Sequence, residues 1–458
     1  MARSFSRPGR SLACLLFCIA LAAGCDRLDP PKQSGELVVA VRADPVFYEQ
    51  EAGGGASGFD HDLAVEFARE LGVRVRFVIA RDHAELLKLV RDGKAHFAAA
   101  VPVIGGDAGI RYTPPLQESR VLVARHADDL PRDDLADLVG RPIEALPGSQ
   151  KSLALRLLSA APPLSIVEVP LAHEVDLLAR VAERKAELCA TDEIHFDVAI
   201  NFHPDIAVAF ELQDNVAYVW AFHIEDVPLH GKATAFIERV GGDGTLARIH
   251  DRYYGHIKRI EPMGAARFLE HVRTRLPDFR HEFQQAQEIT GLDWRLLAAL
   301  AYQESNWDPL ATSPTNVRGM MMLTEDTADR LKVTDRLDAR QSIRGGARYL
   351  ADLRDDLPPT VKEPDRTWMA LAAYNLGMGH FNGARAIAGM VKRDPDAWYE
   401  MKRVLPLLSQ PRYYERLKSG RGRGGEAVIL AENVRTYYDI LSRFEPPYAG
   451  LSFSRPPK

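Results

Sequence analysis

The sequence predicts a multidomain protein, with an α/β domain over residues 36–263 followed by an all-α domain over residues 264–458. Two patterns carry that reading. Short apolar strands alternate with segments of helical period as far as Phe210, the arrangement of α/β units around a largely parallel sheet. Beyond Ala265 strands vanish and apolar residues recur at helical spacing. A third observation, a basic start followed by a short apolar run, sets an exported leader before both domains.

In the leader, Arg3, Arg7 and Arg10 precede the apolar run Ser11–Gly24, which is too short to span a bilayer comfortably. It closes on Leu21-Ala22-Ala23-Gly24-Cys25, similar to a bacterial lipobox, although Ala22 stands where leucine is usual. Two readings stay open: Cys25 is lipidated as the mature N-terminus, or the leader is simply cleaved and Cys25 is an ordinary thiol. Either predicts export. Asp26 favours inner-membrane retention, so the choice of membrane is open. Residues 26–35, with Pro30-Pro31, read as a linker.

In chain order, Glu36–Arg42 reads as a strand, Gly58–Leu71 as a helix and Val73–Ile79 as a strand. A helix over His83–Arg91 and a strand over His96–Val103 complete the unit. The pattern repeats less cleanly from Pro142 to Phe210, Lys232–His250 reads as a closing helix, and Arg252–Met263 as a connector. The second domain reads as helices at Phe268–Leu276, Arg280–Thr290, Trp294–Glu304, Thr324–Leu331, Ile343–Leu357, Thr367–Asn375 and Ala427–Arg443. Arg416–Gly425, basic and glycine-rich, reads as an exposed loop.

Of 458 residues, 46% are apolar and 26% charged, which excludes a disordered, collagen-like or multi-span membrane chain. The net charge of −5 offers no basic field for nucleic acid. Three of the four cysteines lie in the first 25 residues, so Cys189 is expected as a small buried residue without a partner. The 14 histidines show no metal-ligand spacing, and no phosphate loop follows a strand. Neither a metal nor a cofactor is expected.

Chemistry concentrates in the segment from Gly291 to Pro309. Asp293 is placed to cap a helix, and Leu297, Leu300, Ala301 and Glu304 fall at i, i+3, i+4 and i+7. Glu304 thus continues an apolar stripe into the last turn, where the helix dipole disfavours negative charge. Both effects raise a carboxyl pKa and keep a proton available, as a general acid for glycosidic cleavage requires. A glutamate that merely reaches round to solvent or to an arginine is the competing reading. Two further segments bear on it: the turn Arg318-Gly319-Met320-Met321-Met322-Leu323-Thr324, and a helix that carries Trp368, Leu371 and Asn375 on one stripe before Gly377 and Gly379 stop it.

Glu304-Ser305, Gly319-Met320-Met321-Met322-Leu323-Thr324 and Ala373-Tyr374-Asn375, in this order over residues 265–445, resemble the lytic transglycosylases with a goose-lysozyme-like domain. Upstream, Leu37–Val41, Gly58-Phe59-Asp60, Asp62-Leu63-Ala64, Thr113-Pro114-Pro115 and Asp192 resemble a family-3 periplasmic solute-binding domain. The order of the two, and Met322 in place of a usual glutamine, is similar to the membrane-bound lytic murein transglycosylase F family.

That resemblance implies a peptidoglycan lyase, a carbon–oxygen lyase acting between MurNAc and GlcNAc. Glu304 would protonate the glycosidic oxygen and then take the C6 hydroxyl proton, with the MurNAc acetamido group assisting, to leave a 1,6-anhydro end. Ser305 would support the substrate N-acetyl group, Met321 and Met322 would line the saccharide cleft, and Tyr374 and Asn375 would bond the sugar or position Glu304. Core or capping roles compete for Ser305 and Tyr374. The family's last-helix tyrosine–valine pair is replaced by Leu430-Ala431.

For the first domain the resemblance implies a small amino-acid or muropeptide ligand, with Asp192 on its ammonium. The carboxylate-clamping arginine is out of register at Arg111, leaving Arg120 as a weak substitute. A regulatory role follows from domain order. Expected partners are glycan strands and an envelope membrane, reached through a lipid anchor or peripherally, with the outer membrane favoured by resemblance. Two other functions compete: a non-catalytic ligand or glycan sensor, and a lysozyme-type hydrolase that places water through Asp308.

Overall fold

A computed structural model describes residues 27–50, 55–103, 106–131, 134–158 and 164–450. The lipobox residues, Cys25 and Asp26 lie outside the described residues.

Eleven strands are described: β1 Glu36–Arg42, β2 Glu49–Gln50, β3 Ala56–Ser57, β4 Arg74–Ala80, β5 Phe97–Val103, β6 Ile110–Tyr112, β7 Gln117–His126, β8 Pro142–Ala145, β9 Ser165–Glu168, β10 Leu188–Asp192 and β11 Ile206–His223. Nine form one sheet in the order β4-β1-β5-β11-β7-β10-β8-β9, with β6 also on β11, while β2 and β3 make a small hairpin. β4, β1 and β5 run parallel, and so do β10, β8 and β9. The expected parallel sheet is therefore two parallel halves. The long strands β7 and β11 join them, each antiparallel to its neighbours. β11 shifts register between Val208 and Phe210 and again between Glu211 and Asn215, where it passes from one half to the other.

The helices of this domain cover the sheet. Phe59, Leu63, Ala64 and Phe67 of the Phe59–Leu71 helix are buried, and Phe67 packs on Trp220 and Phe236. The closing segment is two helices, Val227–Gly242 and Thr245–Tyr254, because Gly244 takes φ 82° and breaks the run. Cys189 is buried in β10 as a free thiol.

After Pro262 every described element is helical. The core gathers Phe268, Phe283, Trp294, Leu297, Leu300, Met321, Leu371 and Ile440 among others. Four helical segments were not anticipated: Met378–Met390, Trp398–Val404, the 3-10 turn Leu405–Ser409 and the short helix Pro411–Tyr414. Gly377 (φ 84°) stops one helix and starts the next, so the glycine read as a terminator is a corner. In the basic segment, Gly422 and Gly424 are buried, and the helix Gly424–Phe444 begins inside it.

The last helix docks on the first domain. Arg435 donates to the Arg252 carbonyl at 2.7 Å and to Glu432 Oε1 at 2.8 Å, and Thr436 Oγ1 donates to the His256 carbonyl at 2.9 Å. Glu432 is fully buried and also accepts from Trp398 Nε1 at 2.7 Å and Lys402 Nζ at 3.1 Å. Lys402 in turn meets Asp251 at 2.6 Å. Burial alone would raise the Glu432 pKa, but Arg435 and Lys402 hold it down to about 2.

Candidate active site

The helix Trp294–Ser305 carries Glu304 in its last turn, and Asp293 caps its start by accepting from Arg295 N at 2.8 Å. Asn306 and Trp307 then take φ of 51° and 57°, turning the chain away. Glu304 keeps partial exposure, yet protein surrounds its carboxyl, and that desolvation pushes the pKa up to about 8. Desolvation is the sole cause, so no neighbouring charge opposes or adds to it. Glu304 is therefore protonated at neutral pH.

Beside it lies the methionine turn, pinned by three hydroxyls from three helices. Ser305 Oγ lies 2.9 Å from the Met320 carbonyl and 3.0 Å from that of Ala301. Ser342 Oγ accepts from Met321 N at 3.1 Å, and Tyr374 OH donates to Met321 O at 2.7 Å. Two glycines make the packing feasible. At Gly319 (φ 84°) a Cβ would sit 1.7 Å from Arg336 O, and at Gly346 one would meet Met321 Cβ at 2.6 Å. Thr324 caps the next helix by accepting from Thr327 N at 3.2 Å.

This geometry revises several sequence expectations. The Ser305 hydroxyl faces carbonyls in a buried position, so it organises the turn and is not offered to an N-acetyl group. Met321 is fully buried against Gly346 and lines no cleft, because the turn points its side chain into the core. Met322, with φ 46° and partial exposure, is the methionine left at the surface. Tyr374 is buried with its hydroxyl committed to Met321, while Asn375 is exposed at the helix end. Asp308 is exposed and accepts from Leu310 N at 2.9 Å, a cap within its own loop. Ser342 and Tyr349, whose ring lies 5.1 Å from that of Tyr374, escaped the sequence reading. A serine on the buried stripe of the helix Ala339–Asp355 was the available signal.

In the first domain the expected ligand residues are occupied by the chain itself. Arg120 is engaged with Glu193 at 2.9 Å and Glu211 at 2.6 Å on the outside of the sheet. Asp192 is fully buried and caps the helix Glu193–Ala199 through His195 N at 3.1 Å. Its carboxylate also meets Lys151 Nζ at 2.8 Å, His195 Nδ1 at 2.9 Å and the Tyr218 hydroxyl. Glu174 and Asp44 complete the cluster, Glu174 on Lys151 and Asp44 on His195 Nε2 at 3.3 Å. Burial alone would lower the His195 pKa, but Asp192, Glu174 and Asp44 raise it to about 10. Glu174, Asp192 and His195 converge closely enough to ligate a cation, but the Lys151 ammonium already stands against both carboxylates. Sequence spacing gave no sign of this cluster, whose members come from five separate elements and, for Asp44, from the loop after β1.

The chain matches the Transglycosylase SLT domain over residues 281–396 and the bacterial extracellular solute-binding proteins, family 3, over residues 37–256. It is 45% identical over 447 residues to the membrane-bound lytic murein transglycosylase F of Nitrosospira multiformis, covering 96% of this chain and 93% of that protein. With the protein of the same name from Methylobacillus flagellatus it shares 42% identity over 453 residues, covering 96% of each. A solved structure of a mutant ArgBP from T. maritima aligns with 49% of this chain and 97% of its own, at 19% identity and a TM-score of 0.44.

Proposed function

The chain belongs to the membrane-bound lytic murein transglycosylase F family, and from that premise we propose that it cleaves peptidoglycan without water, with Glu304 as its acid and base. One observation supports the assignment: the Glu304 carboxyl is desolvated by the protein around it, which pushes its pKa up to about 8 and keeps a proton on it at neutral pH. Hydrolytic glycosidases pair two carboxylates about 5–10 Å apart, one of them to activate water or attack the sugar. In the present reading one carboxyl suffices, and Glu304 protonates the glycosidic oxygen between MurNAc and GlcNAc. The MurNAc acetamido group supports departure, and the resulting Glu304 carboxylate takes the C6 hydroxyl proton as O6 closes on C1. The product is a 1,6-anhydro-MurNAc end. Tyr374, Ser305 and Ser342 act as positioning residues through the methionine turn, and Met322 and Asn375 offer the exposed contacts for sugar.

We place the protein at the periplasmic face of the envelope, anchored through Cys25 or held peripherally, with the outer membrane favoured. The basic leader and the lipobox-like ending support this reading. No described helix is long and apolar enough to cross a membrane. The N-terminal domain acts as a regulatory ligand sensor, a reading supported by the ionic junction that ties it to the last helix.

The test is a digest of purified peptidoglycan read by mass spectrometry, with wild-type protein beside Glu304→Gln. Anhydro-ended muropeptides from wild type alone are expected. Reducing ends, one water heavier, would establish a hydrolase, and no product from folded protein would leave a non-catalytic sensor.

A further inference from the structure

The wall of the catalytic site carries a cation that the proposed chemistry does not use. Burial raises the Tyr374 pKa most, and Glu304 and Tyr349 raise it further, so both stand close to its hydroxyl. The Tyr349 ring, half-buried, lies 5.1 Å from that of Tyr374. Over the Tyr349 ring, 5.0 Å from its centre, lies the guanidinium of Arg330. Arg330 belongs to the helix Glu325–Leu331, which Thr324 caps directly after the methionine turn. Tyr374 is buried, Tyr349 half-buried and Arg330 exposed, so the row leads outward from the acid to a charge at the surface.

That charge is unspent within the chain. Arg330 has no carboxylate partner among the described residues, although Asp326 and Asp329 share its helix. The ring beneath holds the guanidinium, so its planar fork loses less freedom on meeting an anion. The guanidinium also covers that face of Tyr349, which is therefore not offered to a sugar. The sugar rings of a glycan strand are neutral, and the anions it carries are carboxylates. These are the lactyl carboxylate of MurNAc where no peptide is attached, and the carboxylates of the peptide where one is. A guanidinium fork matches either. We propose that Arg330, held on Tyr349, is a specificity residue that binds a carboxylate of the glycan strand beside the bond that Glu304 cleaves. The proposal rests on reading Glu304 as the acid of a peptidoglycan lyase and adds the charged group of the substrate that its site selects.

Four substrates test it and separate the two sources. They are strands bearing peptides, strands stripped by an amidase to the free lactyl carboxylate, and each of these with its carboxylates converted to primary amides. Binding is measured on the whole protein carrying Glu304→Gln, which leaves the strands uncut, and release of anhydro ends on the protein with Glu304 intact. Binding about fivefold tighter to a carboxylate strand than to its amide is expected, with the preference shrinking as salt rises. The pair that shows it, peptide-bearing or stripped, identifies the carboxylate. Adding Arg330→Gln should abolish the preference and Arg330→Lys should keep part of it, while both melt like the protein with Arg330. Equal binding to a strand and its amide in both pairs, tighter binding to the amides, or a preference that survives Arg330→Gln overturns the proposal. If anhydro ends still form in any of those cases, the lyase assignment stands. Absence of anhydro ends from all four substrates would bring down that assignment, whatever the binding shows.

Discussion

Tyr374 OH donates to the carbonyl of Met321 at 2.7 Å, joining the helix Asp365–Leu376 to the turn beside the Glu304 helix. Removing the hydroxyl leaves a buried carbonyl without that partner, at a cost of about 1–3 kcal/mol. Tyr374→Phe is therefore expected to lower the melting temperature and to reduce turnover of peptidoglycan. Glu304 keeps its proton in the variant, so the pH profile stays in place. A displaced profile would mean that Tyr374 acts on the acid directly.

Glu304→Gln keeps the shape of the side chain and removes its proton chemistry. Loss of a general acid costs about 10²- to 10⁴-fold, and here the same group also serves as base, so anhydro-muropeptide formation should fall at least that far. Quantified release of anhydro ends from purified peptidoglycan checks it.

The pH dependence has a defined sign. Cleavage needs protonated Glu304, whose pKa is about 8, so kcat/KM is expected to hold through neutrality and fall above about pH 8. The base of the second step is generated by the first, so Glu304 imposes no limb on the acid side. A profile falling already near pH 5 would show that solvent reaches the carboxyl.

The same shift makes Glu304 a liability for stability. Unfolded, the carboxyl returns to its ordinary value of 4.5, so between about 4.5 and 8 the folded state binds the extra proton and stability falls as pH rises. Glu304→Gln should thus melt higher than wild type at pH 8, with the gap closing below pH 4.5. Paired thermal melts across that range give the answer.

Glu432 works in the opposite direction. Its folded pKa of about 2 lies below the unfolded 4.5, so its contribution is complete above about 4.5 and is lost as pH falls toward 2. Arg435→Ala, which leaves Glu432 buried with one cation fewer, is expected to cost about 3–5 kcal/mol. Because Arg435 also holds the Arg252 carbonyl, limited proteolysis should show the two domains loosened in that variant.

Much of the fold and the centre of the site were legible in the sequence. The strands at Glu36–Arg42 and Phe97–Val103, the helices around them and the all-helical second half follow from periods of 2 and 3.6, which are local properties. Glu304 stood out because a carboxyl on an apolar stripe is a local anomaly too. The capping roles of Asp293 and Thr324 were readable for the same reason, since a cap bonds within its own turn.

Tertiary structure alone decided what each polar side chain does. Whether the Ser305 and Tyr374 hydroxyls meet sugar or backbone depends on Met320 and Met321, 15 and 53 residues away. Whether Asp192 is open to a ligand depends on Lys151, brought against it from another element of the same sheet half. Hydrogen bonds and ion pairs act over about 3 Å of space, whatever the separation along the chain. The sequence by itself determined most of the elements, the domain order and the candidate acid. Folding determined which donors and acceptors remain free.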